Sequence, residues 1–243
     1  MAPKKTPKTP PAPRKAQAPK QRTTTSAGGT SSRTILYIVG GIVVVALIAA
    51  GGFFAFAGSS SSSDEHVASL MADAGCTFKT VKAYVPPGQG VHVPSLTKKF
   101  PWNTDPPSNG QHYPLWAVWG FYTQPVNPRM VVHNEEHGGV ILWWGPTIPA
   151  STVEQLRTFY NETPDGTFGT PYAKLGSKVA ISAWTGDPAE YTQNGYYGQG
   201  HLAICPKLDD ATLTAFEAFR KAYRGKGPEG IPLSLDEPGM GPQ

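Results

Sequence analysis

Three features of the sequence predict an α+β chain, with one loop-rich extracytoplasmic domain built on a small β-sheet and two or three flanking helices, preceded by one transmembrane helix and a disordered tail. An uncharged apolar run occupies residues 35–57. The 25 prolines and 27 glycines exclude a long helical bundle, because both residues disfavour helix interiors. Beyond residue 130, short β-rich runs alternate with segments whose apolar residues recur at helical spacing.

Taken in order, residues 1–33 carry eight Lys or Arg, no acidic side chain and almost nothing apolar, so they are expected to form a disordered basic tail. The net charge of +4 belongs to this tail, since the rest of the chain is net acidic, which argues against a basic nucleic-acid-binding domain. Residues 34–58 are expected to cross a bilayer as a helix, because a run of this length at about 1.5 Å per residue reaches across about 30 Å of hydrocarbon. All the upstream charge is basic and Asp64 and Glu65 follow downstream, which places the N-terminus in the cytoplasm and the domain outside. Ala55-Phe56-Ala57 offers the rival reading of a cleaved signal peptide, against which stand the length of the apolar run and of its charged leader. Residues 59–63, all serine, read as a linker to a domain spanning 64–243.

Within that domain, Val67 to Ala74 is a helical pattern stopped by Gly75. Residues 84–128 hold nine prolines and are expected to be stiff coil. Val131 to His133 and Val140 to Trp144 read as strands parted by a polar turn, with further strands at Lys178 to Trp184 and His201 to Cys205. Ser151 and Glu154 form a capping-box signature ahead of Val153, Leu156, Phe159 and Tyr160. Asp209 or Asp210 caps a last helix with Leu213, Phe216, Phe219 and Tyr223 on one face, ending at Gly225. The two cysteines, Cys76 and Cys205, pair most simply as a disulfide in an oxidising compartment, with two buried thiols or soft metal ligands as alternatives.

The chemistry resides in the histidines. His92, His112, His133 and His137 fall within a short stretch of chain, and the spacing of four puts His133 and His137 on one face of a helix or a strand. If that segment is extended, Glu135 joins them. Imidazoles with a carboxylate suit a borderline transition metal, copper or zinc, and the candidate ligand set is His92, His112, His133, His137 and Glu136. The zincin pattern is absent, since Asn134 follows the first histidine of the pair. The bland alternative packs each histidine in an aromatic core, with Glu135 or Glu136 as an ion-pair partner. His66 and His201 read as structural. The six tryptophans read as core rather than as sugar-stacking platforms.

A run of short motifs carries a resemblance. Gly88-x-Gly90-x-His92-x-Pro94, Asp105-Pro106-Pro107-Ser108-x-Gly110-x-His112, Gly120-x-Tyr122 and Val132-His133-Asn134-x-Glu136-His137-Gly138-Gly139-Val140 follow one another in the order seen in the bacterial domain of unknown function family 3105, which they resemble. The likeness extends from about Cys76 to Glu229, through Pro171-Tyr172, Ala183-Trp184 and Gly227-Pro228-Glu229. The sequence departs from the family at Glu135, usually Leu, and at Trp144, often Tyr. The resemblance implies an exported or single-pass protein with no established reaction, and it favours Glu136 over Glu135 as the shared acidic position.

Three functional classes follow: a membrane-anchored protein that binds copper or zinc, a metal-dependent hydrolase in which Glu136 serves as base to bound water, and an envelope-assembly module without metal. Anionic lipid, through the helix and basic tail, is the expected partner; nucleic acid is not.

Overall fold

A computed structural model describes residues 62–191 and 197–242. A helix over 62–73 (α1) leads into β1 (Thr77–Lys82), and a long coil then runs to α2 (Pro128–Glu136). There follow β2 (Val140–Trp144), α3 (Ala150–Glu162), β3 (Thr167–Pro171), β4 (Val179–Thr185), β5 (Gln199–Cys205) and α4 (Asp210–Tyr223). The strands form one mixed sheet in the order β1-β5-β4-β2-β3, antiparallel except for the β2–β3 pair. That parallel pair is joined by α3, as a crossover between parallel strands requires.

Alternation along the strands divides the core in two. Val140, Leu142 and Trp144 of β2 pack with Val179, Ile181 and Ala183 of β4 against α1, α3 and α4, where Met71, Leu156, Phe216 and Phe219 are fully buried. Ile141 and Trp143 face the other way, with Ala180, Leu202, Phe168, Trp119 and the helix residue Val131. The second face is therefore roofed by α2 and the proline-rich coil, and there His92, His112, His133 and His137 lie. Trp119, Trp143 and Trp184 are fully buried and Trp143 Nε1 donates to Ser182 Oγ at 2.7 Å, which fits the core reading of these rings. Truncating such a ring to Ala costs about 3–5 kcal/mol.

The structure corrects the architecture expected from sequence. The sheet has five strands and the described residues hold four helices, not a small sheet with two or three. No helix among the described residues is long and apolar enough to cross a membrane. The longest, α4, has 14 residues and carries Glu217, Arg220 and Lys221, so it is too short and too charged for that task. The spanning segment expected at 34–58, the tail before it and most of the serine linker lie outside the described residues.

Smaller corrections have local causes. Val131 to His133 belong to helix α2, not a strand: Asn127 accepts from the Arg129 N–H as N-cap and Pro128 opens the first turn. Those start signals outrank the β-propensity of two valines. Helix α3 begins behind Pro149 without any side-chain cap, so Ser151 and Glu154 form no capping box. Strands β1 and β3 had no expectation in sequence, because TFKTVK is largely exposed and TFGTP is short and contains Gly and Pro. Asp209 caps α4 as expected, accepting from Thr212 N–H at 3.0 Å. Cys76 and Cys205 are disulfide-bonded, closing a separation of 129 residues.

Candidate metal centre

The coil between β1 and α2 is ordered around two histidines. Val93 N–H donates to His112 O at 2.8 Å and His112 N–H donates to Val91 O at 3.0 Å, a short parallel bridge that sets His92 beside His112. Gln111 ties the two stretches again, through its amide donated to Gly90 O at 2.9 Å. Gly110 holds a φ of +97°, and a Cβ there would sit 2.8 Å from Tyr84 O, so only glycine permits this turn. The carbonyl of Gly110 is thereby presented to the His112 ring, whose Nδ1 lies 2.8 Å away.

Helix α2 supplies the remaining ligands. His133 and Glu136 are one turn apart and share the face turned toward the bridge, whereas Glu135 turns to the sheet. His92 Nε2 and His112 Nε2 each lie 3.0 Å from Glu136 Oε2, and His133 Nε2 lies 3.9 Å from it. One ligand atom from each of His92, His112, His133 and Glu136 falls within 4.8 Å of every other. Ligands at about 2.0–2.1 Å in a tetrahedron stand about 3.3 Å apart, so these separations bracket what a zinc-like ion needs.

The tautomers are fixed from behind. His112 Nδ1 donates to Gly110 O, and His133 Nδ1 donates to Tyr113 O at 3.0 Å. Each ring therefore turns Nε2 to the centre, the arrangement in which an outer hydrogen bond orients a metal-binding imidazole. Burial pushes the His133 pKa down to about 3, so this ring is neutral and offers a lone pair. His112 Nε2 is buried and lies 3.0 Å from Glu136 Oε2, an ion-pair distance, although the pair is poorly aligned for a linear hydrogen bond.

Burial alone would raise Glu136, but the pull of His112 and the hydrogen bonds from His92 and Tyr191 outweigh it and hold this carboxyl well below the usual range. The Tyr191 hydroxyl donates to Glu136 Oε1, leaving Oε2 for the imidazoles. The hydrogen bond to Glu136 raises His92, the one solvent-facing member, with 38% of its side chain exposed, against the lowering effect of its partial burial.

His137 stands beside this group rather than in it. It is the C-cap of α2, and the chain turns at Gly138 with a φ of +109°. Its ring forms a second cluster with His133 and Glu229, with Nε2 3.5 Å from Glu229 Oε2 and Nδ1 3.2 Å from Asp236 Oδ1. Glu135 does not join any of these rings, because the segment is helical. It is fully buried against β4, accepts from the Ser182 hydroxyl, and burial raises its carboxyl well above the ordinary value.

Sequence reasoning did not single out Tyr191 or Asp236, which no local motif marks. Glu229 sat in the Gly227-Pro228-Glu229 motif without a role. Its N–H approaches Glu136 O at 3.4 Å, which carries it to the site.

A mixed sheet backed by three helices, with a His₃Glu group under a proline-rich coil, defines a domain built over a buried polar cluster. The chain belongs to the family described as protein of unknown function (DUF3105), whose model matches residues 92–232 and so spans every member of both clusters. No curated protein and no solved structure matches the chain.

Proposed function

We propose that this protein binds one divalent transition-metal ion, zinc or Cu(II), through His92, His112, His133 and Glu136, and holds it for buffering or delivery outside the cytoplasm. The observation that carries the proposal is the convergence of one ligand atom from each of His92, His112, His133 and Glu136 within 4.8 Å of one another, with the His112 ring held by its Gly110 hydrogen bond so that Nε2 faces the centre. Three imidazoles and one carboxylate suit borderline divalent ions, and the absence of thiolate or thioether from the set disfavours Cu(I). Four protein ligands fill a tetrahedral shell, which favours holding over open-site chemistry. Contact of Glu136 with two of the three imidazoles favours it as a ligand over a base, which weakens the hydrolase reading.

The Cys76–Cys205 disulfide supports an oxidising, extracytoplasmic setting. The basic residues of 1–33 suit anionic lipid as a partner better than nucleic acid.

The test is bound metal and the melting temperature of the full-length protein purified without chelator. A ligand that binds only the native state at 100 times its Kd contributes about 2.7 kcal/mol. For a domain of this size that is about 5–10 °C. Absence of both metal and shift with Zn²⁺ and Cu²⁺ leaves a packed polar cluster with no ion.

A further inference from the structure

The cluster of His133, His137 and Glu229 is left unused by the site just described. We propose that it is a second station for the same ion, overlapping the first through His133, so that the metal is held in one position or the other and passes between them. The inference rests on the metal-binding reading above and goes beyond it by naming the route of exchange.

The argument starts from His137. Its Nδ1 lies 3.2 Å from Asp236 Oδ1, a carboxylate–imidazole pair that orients the ring and turns Nε2 outward. That nitrogen faces Glu229 Oε2 at 3.5 Å, close to the edge of a tetrahedral shell at about 3.3 Å. An imidazole nitrogen set against a carboxylate oxygen is the same juxtaposition that marks the first station. The ligand atoms of His133, His137 and Glu229 lie within 4.8 Å of one another. Glu229 is held in place by its own backbone, since Gly225 N–H donates to Gly138 O at 2.8 Å and Gly227 packs against the turn after α2, where a Cβ on it would meet Glu136 O at 2.3 Å.

His133 cannot serve two ions together. Its Nδ1 is committed to Tyr113 O, which leaves one nitrogen to donate. Occupation of the two stations is therefore exclusive, and His133 is the hinge ligand. The second station has three protein ligands against four, and Glu229 is partly exposed, so it binds the more weakly and opens to solvent. Such a site releases and accepts an ion that the four-ligand site retains.

Zinc titration of the full-length protein tests this. The wild type should bind one Zn²⁺ even in excess metal. Removing the first station with His92→Ala/His112→Ala should leave one weaker Zn²⁺, reduced about 100-fold or more, and adding His137→Ala or Glu229→Gln should abolish it. As a second measurement that does not depend on the double variant folding, Glu229→Gln alone should bind one Zn²⁺ but surrender it to an added chelator several-fold more slowly than wild type. Two ions per wild-type chain, residual binding indifferent to His137 and Glu229, or unchanged release by Glu229→Gln would each overturn the second station while leaving the first intact. A wild type that binds no Zn²⁺ would overturn both.

Discussion

Two buried histidines on opposite faces of the sheet make an instructive pair. His201, in β5, is surrounded on every side: Nδ1 lies 3.0 Å from Thr80 Oγ1, Nε2 lies 2.8 Å from Thr185 Oγ1, and the ring stacks on Tyr223 at 3.9 Å. His112, under the proline-rich coil, is equally buried but has one nitrogen bonded to a carbonyl and the other facing a carboxylate oxygen at 3.0 Å. Burial and residue type are the same, so neither distinguishes a structural histidine from a ligand. The difference is the partner of the second nitrogen: hydroxyls that donate or accept at His201, acceptor-only carboxylate at His112.

The largest expected effect bears on the sheet side of this comparison. Replacing Cys76 and Cys205 by Ser opens a loop of 129 residues. It should lower stability by about 4–5 kcal/mol, read by denaturant titration. Zinc affinity of the folded fraction should be unchanged, since neither cysteine borders the metal cluster.

Next comes pH. Burial depresses His201 to about 4 from an ordinary 6.5, so between these values the unfolded chain binds the extra proton. The His201 contribution to stability of the metal-free protein should therefore be full above pH 6.5 and fall by about 3 kcal/mol as pH drops toward 4, with His133, depressed to about 3, acting in the same direction. His201→Gln, which keeps hydrogen bonding without a titrating ring, should reduce that slope without removing it. An unchanged slope would assign the acid sensitivity to other groups.

The smallest effect separates two neighbouring carboxylates. Glu135→Gln replaces a carboxyl that burial already favours as neutral, and should change stability by less than about 1 kcal/mol with zinc affinity intact. Glu136→Gln removes a ligand charge and should weaken zinc by about 100-fold or more. Equal behaviour of the two variants in zinc titration would contradict the assignment of Glu136 as the ligand.

Much of this was legible in sequence because the signals were local. Helices α1 and α4 and strands β2, β4 and β5 announce themselves by spacing, by Gly75, and by Asp209. The histidines that converge were visible as types and spacings. What could not be read was which of them meet, because the contact between His92 and His112 depends on a bridge formed across the coil, and Glu229 and Asp236 reach the site from near the C-terminus. Helix α2 was misread because its valines carry strand propensity while its start is set by two residues, Asn127 and Pro128, just outside the apolar run. That single error also decided the carboxylates: in a strand Glu135 would share the face of His133, and in a helix Glu136 does.

The most direct test is a zinc titration, by calorimetry, of the wild type beside His112→Ala and His201→Ala. The account predicts one Zn²⁺ per chain, an affinity lowered at least about 100-fold in His112→Ala, and wild-type affinity in His201→Ala. No binding by the wild type, or an equal loss in both variants, would contradict it.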